Sequence, residues 1–290
     1  MNKQVLIRKI NAYERLMRLD KPIGILLLMW PTLWALLVAG EGQPNWHVTI
    51  IFITGVVLMR SAGCVMNDIA DRHFDGHVER TKNRPLVIGE VSTKEALFLA
   101  AVLTVAAFIL VCFLNTMTIL LSIVALFLAA TYPLTKRFLV IPQAYLGIAF
   151  GVSVPMAFAA LLNQIPAIAW WLMLANIFWA VAYDTEYAMV DRNDDIKIGI
   201  QSSALLFGRY DVFAIMCSYI GMLGIFIGIG LANHFSGYYY VGIAVATALV
   251  IWQYQMIKNR SEINCFKAFL ANNWIGFILL LSLFAEYYLK

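Results

Sequence analysis

Two short stretches hold most of the side chains equipped for chemistry. One reads Asn67-Asp68-Ile69-Ala70-Asp71-Arg72-His73-Phe74-Asp75, and the other runs Asp184-Thr185-Glu186-Tyr187 through Asp191-Arg192-Asn193-Asp194-Asp195. At about 100° per helical residue, Asn67, Asp71 and Asp75 share roughly 80° of arc, and so do Tyr187, Asp191 and Asp195 if that helix continues far enough. Each helix end then presents a polar stripe closing on two carboxylates. A single Asp suits an ordinary solvated helix end equally well, but two matching stripes point elsewhere. Clustered carboxylates repel and call for a cation, and Mg²⁺ characteristically takes one or two carboxylates together with substrate phosphates. Arg80, Lys82, Arg84, Lys136 and Arg137 suit the remaining phosphate charge, although some of them serve equally as topology signals. The pattern predicts a cavity built for a diphosphate.

The two stripes resemble each other. An offset of 116 lays Asp68 on Asp184, Asp71 on Tyr187 and Asp75 on Asp191. An internal duplication would bring both helix ends to one shared cavity. Arg60 lies seven residues before Asn67, about 10 Å deeper along a helix, inside an apolar run where an unpaired charge is costly and usually functional. It shares a face with Cys64, Asn67 and Asp71. Pairing with a polar group on a neighbouring helix, such as Asn176, is the structural alternative. His73 and His77 have the i, i+4 spacing of a zinc pair, but the neighbouring donors are hard oxygens, which argues against zinc.

The elements that carry these residues follow from composition. The chain has 290 residues, 62% hydrophobic and 13% charged, with a mean hydropathy of +0.77. Ordinary soluble domains carry roughly 25% charged residues. Long apolar runs such as Ala96 to Leu114 exclude a β-barrel, whose short strands alternate in polarity. Nine spans are expected, near 22–40, 46–69, 94–115, 117–133, 141–163, 166–190, 211–232, 238–257 and 266–288. The fold class is therefore an all-α polytopic membrane bundle of about nine transmembrane helices with an internal repeat, forming one membrane-embedded domain over 1–290. No cleavable signal peptide is expected, because a polar, basic stretch from Asn2 to Lys21 precedes the first run.

Lys and Arg set the orientation. The residues from Lys3 to Lys21, then Arg72 to Lys94, Lys136 with Arg137, Arg192 to Arg209, and Lys258 to Lys267 all fall on one side, while Lys290 falls on the other. The N-terminus and the acidic stripes are expected in the cytoplasm. Trp46, Trp170, Trp171, Tyr238 to Tyr240 and Tyr287 with Tyr288 fall at the outer interface. Val5 to Leu19, within residues 1–21, reads as a cytoplasmic amphipathic helix on the inner surface. Pro31 and Pro155 fall inside spans, where a lost backbone donor kinks the helix unless neighbours compensate. Cys64, Cys112, Cys217 and Cys265 show no CxxC spacing and read as packing residues.

These residues resemble the UbiA superfamily of intramembrane prenyltransferases, whose motifs NDxxDxxxD and DxxxD match Asn67 to Asp75 and Asp191 to Asp195. Leu19-Asp20-Lys21-Pro22-Ile23-Gly24, Trp30-Pro31-Thr32-Leu33-Trp34, Asn83-Arg84-Pro85-Leu86, Tyr132-Pro133 and Tyr183-Asp184 are similar to its branch acting on 4-hydroxybenzoate. The resemblance implies a nine-helix bundle in a bacterial inner membrane. It implies Mg²⁺ as cofactor and polyprenyl diphosphate and 4-hydroxybenzoate as substrates, with prenylation ortho to the hydroxyl giving a ubiquinone precursor. Carried over by position, Asn67, Asp71, Asp75, Asp191 and Asp195 would hold Mg²⁺ and diphosphate. Arg80, Arg84, Lys136 and Arg137 would bind phosphate oxygens, Tyr187 would line the cavity, and Arg60 would receive the acceptor carboxylate. Asp71 or Asp191 would remove the ring proton. The bilayer is the other expected partner, with no nucleic acid and no obligate protein partner. A sibling enzyme with another aromatic acceptor and a secondary transporter are the alternatives; a transporter site would lie near mid-membrane.

Overall fold

The computed structural model describes residues 3–72, 75–77, 81–135, 139–199 and 201–290, and every regular element among them is helical. After α1 (Lys3–Leu16) come α2 (Ile23–Ala39), α3 (Trp46–Asp71), α4 (Thr93–Val111) and α5 (Thr116–Thr135). Next are α6 (Pro142–Gly151), α7 (Ser153–Leu162) and α8 (Ala167–Ile198). A short α9 (Ser203–Phe207) leads into α10 (Asp211–Ala232), α11 (Gly237–Ile257) and α12 (Glu262–Tyr288). Each expected span has its helix, with α6 and α7 together making one crossing. Among the described residues eight crossings are long and apolar enough to span by themselves, and α2 is a shorter apolar helix of 17 residues.

Local chemistry sets the ends. The Asn45 side chain accepts from the backbone N–H groups of His47 and Val48 and starts α3. Ser92 and Glu95 form a reciprocal capping box at the start of α4. Gly199, at φ +71°, closes α8 in the left-handed conformation that glycine adopts freely. The two prolines behave differently. At Pro155 the crossing is interrupted at Val152, because proline offers no N–H to the Gly151 carbonyl and its ring crowds it. Around Pro31, α2 runs on unbroken, with the Thr32 hydroxyl bonding the Leu28 carbonyl at 2.8 Å.

The interior is aromatic. Trp34 on α2 lies 5.3 Å from Trp179 on α8 and meets Phe226 on α10 edge-on at 5.2 Å between ring centroids. All three are fully buried. The Trp34 indole donates to the Gly276 carbonyl at 3.0 Å, joining α2 to α12. A side chain at Gly276 would collide with Trp30 and Trp179, so this close approach requires glycine. The long α8 packs against α6, α10 and α12 and is the central column. Outward faces are apolar and exposed, as at Phe98, Phe113 and Phe213, which suits lipid rather than water. The chain is an integral membrane protein.

α1 differs from a helix resting only on lipid. Its Ala12 and Leu16 are buried against Val65, Val91, Ala96 and Ala100, while Val5, Leu6, Ile7 and Ile10 remain exposed. Lys9 pairs with Glu95 at 2.8 Å, and that hydrogen bond holds its ammonium above the ordinary lysine value. Arg15 pairs with Glu90. All four cysteines are free; Cys64 and Cys265 are buried, but Cys112 and Cys217 are exposed on helix surfaces rather than packed.

Candidate active site

One cavity of about 1540 Å³ gathers most of the residues singled out from sequence. Asn67 and Asp71 reach it from α3, Asp75 and Arg84 from the segment after α3, Tyr187, Asp191 and Asp195 from α8, and Arg60 from deeper in α3. Both acidic stripes therefore share one chamber. Its remaining wall is largely apolar, including Phe52, Val56, Phe108, Leu126 and Phe150.

The first stripe is not a single helical face. α3 ends at Asp71, and Asp75 begins a 3₁₀ turn, Asp75–His77. A tertiary hold replaces helical periodicity there: Arg84 donates to Asp75 at 2.6 Å, and the Thr81 hydroxyl donates to the Asp75 carbonyl at 2.7 Å. Burial raises the Asp75 carboxyl above its ordinary value, countered by Arg84, with Asp68 and Asp71 adding to the rise. Within α3, Asn67 Nδ2 donates to Asp71 Oδ2 at 3.1 Å. The second stripe is continuous, because α8 extends to Ile198 and carries Asp191 and Asp195 one turn apart.

The C-terminal end of α8 is clamped from behind. Arg192 donates to Asp211 and to the Ala204 carbonyl, and Arg260 reaches Asp211 at 2.8 Å. Asp211 is fully buried between these guanidinium groups. Asn193 donates to Glu262 at 3.1 Å. With Arg192 drawn to one side, Asp191 and Asp195 are left on the cavity side.

Arg60 enters a built niche. Its Nη1 donates to Cys64 Sγ at 2.9 Å, and its guanidinium carbon sits 5.6 Å from the Phe150 ring centroid. Gly24 on α2 leaves the room it needs, since a Cβ there would lie 2.5 Å from Nη2. Asn176 does not pair with it; the Asn176 amide donates instead to the Gly147 carbonyl at 2.9 Å. Arg60 Nε, Asn67 Oδ1 and the Tyr183 hydroxyl are buried and have no hydrogen-bond partner among the described residues, and all three residues line the cavity. Buried polar atoms are ordinarily satisfied, so these three are suited to a polar ligand.

Several expected groups fall outside this picture. Arg80, Lys136, Arg137, His73 and the side chain of His77 lie outside the described residues. Lys82 is exposed and is not among the lining residues. Conversely, Arg18 lines the cavity and grips Asp68 with two hydrogen bonds at 2.8 and 3.0 Å, although its sequence context marked it only as part of a basic stretch. Arg84 also approaches Asp68 at 3.1 Å, so Asp68 is a buried junction joining the segment after α1, α3 and the loop before α4. Tyr132, Tyr183, Asp184, Gln143 and Ser202 are further lining residues. Of these, Tyr132, Tyr183 and Asp184 had a sequence signal, in the paired motifs Tyr132-Pro133 and Tyr183-Asp184.

Among the described residues no three His, Cys, Asp or Glu side chains close on one point as a ready-made metal cage. Two sets of hard oxygens lining one cavity, one from α3 and the segment after it and one from α8, with Asn67 Oδ1 buried and unsatisfied, fit an ion that completes its shell with phosphate oxygens. The UbiA prenyltransferase family model matches residues 28–281. The chain belongs to the UbiA prenyltransferase family. A protein of Dechloromonas aromatica (strain RCB) named 4-hydroxybenzoate octaprenyltransferase is 60% identical to this UbiA-family chain over 288 residues, covering 99% of this chain and 97% of the relative. A protein of the same name from Methylobacillus flagellatus is 58% identical over 290 residues, covering 100% and 98%. Among solved structures, the apo form of a UbiA homolog from Aeropyrum pernix K1 superposes with a TM-score of 0.78 at 26% identity, covering 89% of this chain and 96% of that one. A UbiA homolog from Archaeoglobus fulgidus bound to GPP and Mg²⁺ shares the fold, with a TM-score of 0.69 at 17% identity, covering 95% and 99%.

Proposed function

We propose that this chain transfers a polyprenyl group from polyprenyl diphosphate to the ring of 4-hydroxybenzoate, ortho to the hydroxyl, as a step of ubiquinone biosynthesis. The observation that carries the reading is one chamber with carboxylates from two helices at its mouth, a guanidinium about 10 Å deeper, and a long apolar wall. The names of the relatives favour an octaprenyl group.

Asn67, Asp71 and Asp75 on one wall and Asp191 and Asp195 on the other are the residues that would hold Mg²⁺, which supplies Lewis-acid neutralisation of the diphosphate when bound. Arg84 binds diphosphate oxygens, joined by Arg80, Lys136 and Arg137. As the allylic C–O bond breaks, its electron pair stays with the diphosphate, where these fixed cations are aimed. Arg60 grips the acceptor carboxylate. The ring carbon beside the hydroxyl then bonds to the allylic carbon, and Asp71 or Asp191 accepts the ring proton. Phe52, Val56, Phe108 and Leu126 cover the isoprenoid chain and keep water from the cation.

The reading places the N-terminus and the mouth of the chamber on the cytoplasmic side of a bacterial inner membrane. Residues 1–290 act as one domain, with α1 seated between the bundle and the inner leaflet. A transporter is disfavoured because the carboxylates sit at helix ends rather than mid-membrane. The test is to assay purified protein in detergent against a panel of aromatic acids and prenyl diphosphates. Prenylation of 4-hydroxybenzoate above the other acids supports the reading; a different preferred acceptor replaces it with a sibling activity.

A further inference from the structure

α8 also carries an acid on the side away from the cavity. Glu186 is fully buried where α8 meets α10 and α12, with α11 behind. At about 100° per residue it shares a face with Trp179, whereas Asp184, Asp191 and Asp195 lie on the opposite side and Tyr187 is about a quarter-turn round. Every partner of Glu186 among the described residues is neutral. Its Oε2 accepts from Asn272 Nδ2 at 2.8 Å, and its Oε1 lies 3.0 Å from the Tyr219 hydroxyl. That hydroxyl is also 2.5 Å from Gln253 Oε1 and 2.8 Å from Asn272 Oδ1.

The orientations of both amides are set by groups that have no choice. The Trp179 indole can only donate, and it does so to Asn272 Oδ1 at 2.8 Å, which turns Asn272 Nδ2 toward Glu186. The Ala268 carbonyl can only accept, and it takes Gln253 Nε2 at 3.3 Å, which turns Gln253 Oε1 toward Tyr219. Three acceptor oxygens therefore surround a phenol with a single proton. Trp179 already satisfies Asn272, leaving Gln253 and Glu186 to compete for that proton. One further hydrogen on Glu186 closes the count: Glu186 donates to the Tyr219 oxygen, Tyr219 to Gln253, Trp179 to Asn272, and Asn272 to Glu186. An ionised Glu186 would instead face a phenol oxygen across 3.0 Å with one proton too few, without a cation, in the interior of a membrane bundle.

We propose that Glu186 is a neutral carboxylic acid donating to Tyr219, and that the closed network it completes is a positioning device fixing the rotation of α8. The consequence reaches the cavity through packing. Trp179 meets the Tyr183 ring edge-on at 5.3 Å, and the Tyr183 hydroxyl points its unsatisfied oxygen at the chamber. Glu186 touches neither substrate; it holds the face that does.

The protonation claim is independent of the reaction, whereas its kinetic arm rests on the prenyl-transfer reading. Infrared spectra of the purified full chain at neutral pH should contain the carbonyl stretch of a hydrogen-bonded carboxylic acid that Glu186→Gln removes. Tyr219→Phe should move that band to higher wavenumber, which keeps the test alive if a Glu186 variant fails to fold. An undiminished band in Glu186→Gln, or an unshifted one in Tyr219→Phe, overturns the protonation. Gln reproduces every hydrogen bond of the neutral acid, so Glu186→Gln should keep kcat and both KM values within about twofold, while Glu186→Ala lowers kcat about tenfold. Glu186→Gln as impaired as Glu186→Ala, or Glu186→Ala with wild-type kcat, overturns the positioning role. An inactive wild type with the band present would refute the prenyl-transfer reading alone.

Discussion

Arg84 donates to Asp75 at 2.6 Å, so a residue assigned to phosphate and a residue assigned to metal hold each other. The same guanidinium lies 3.1 Å from Asp68. A metal diphosphate bound as proposed would redistribute these contacts. Asp68 already has Arg18, whereas Asp75 would share Arg84 with such a ligand.

The first prediction follows from that sharing. Asp75→Asn and Asp191→Asn should each lower kcat by about a hundredfold or more, because each removes charge from the proposed metal site. The thermal midpoint in detergent should stay near wild type, since neither residue is in the buried aromatic core. Chelation with EDTA should abolish prenylation, and full activity in EDTA would refute the metal site. Arg84→Ala should raise the KM for the prenyl diphosphate and not that for the aromatic acid.

Asp211 supports the second prediction. It is fully buried between Arg192 and Arg260, which keep partial exposure. Its loss should cost about 2 kcal/mol, between the values for exposed and buried pairs. Asp211→Ala should lower the thermal midpoint and also weaken Mg²⁺ activation, because α8 loses the clamp behind Asp191. A fall in stability with an unchanged Mg²⁺ titration would show that the clamp does not reach the site.

Orientation can be tested by thiol labelling, with positions chosen from the structure. Gly42 is unsuitable, as it sits at φ +87° and a Cβ there would press on Tyr287. Ser92 is equally poor, because it caps α4. Gln43 and Lys94 are exposed on opposite ends of the bundle. In a background with Cys112 and Cys217 changed to Ala, Gln43→Cys should react with an impermeant maleimide from outside intact cells, and Lys94→Cys should react only after permeabilisation. The reverse pattern would invert the orientation.

The crossings among the described residues were legible because apolar runs of membrane length separate basic clusters, and few other structures satisfy both. That the acidic residues would line one chamber was legible by type and spacing, but the shape of the first stripe was not. Periodicity carried Asp75 onto the helix, whereas α3 stops at Asp71 and a tertiary contact from Arg84 returns Asp75 to the chamber. Non-local pairs such as Arg18 with Asp68, or Glu186 with Tyr219 and Asn272, leave no periodic trace. The break at Val152 was half legible: Pro155 announced it, but Pro31 carried the same mark and left α2 continuous.

The last prediction concerns Arg60 and the glycine that makes room for it. A bidentate pair with the acceptor carboxylate would hold the ring with its reactive edge toward the diphosphate. A hydrogen bond to a charged group contributes about 1.5–3 kcal/mol. Arg60→Ala should therefore raise the KM for 4-hydroxybenzoate roughly tenfold to a hundredfold, with little change in that for the prenyl diphosphate. Arg60→Lys should rescue only in part, because a point charge lacks the planar fork. Gly24→Ala offers an independent check that leaves the charge in place. Its added methyl would lie 2.5 to 2.9 Å from Nη2, Nε and Cζ of Arg60, so the flexible end of that side chain must shift. The variant should reproduce the acceptor defect more weakly than Arg60→Ala. Steady-state kinetics varying each substrate in turn decide the matter. An equal rise in both KM values for Arg60→Ala would make Arg60 a structural partner of Cys64 and Phe150 rather than an acceptor-binding residue.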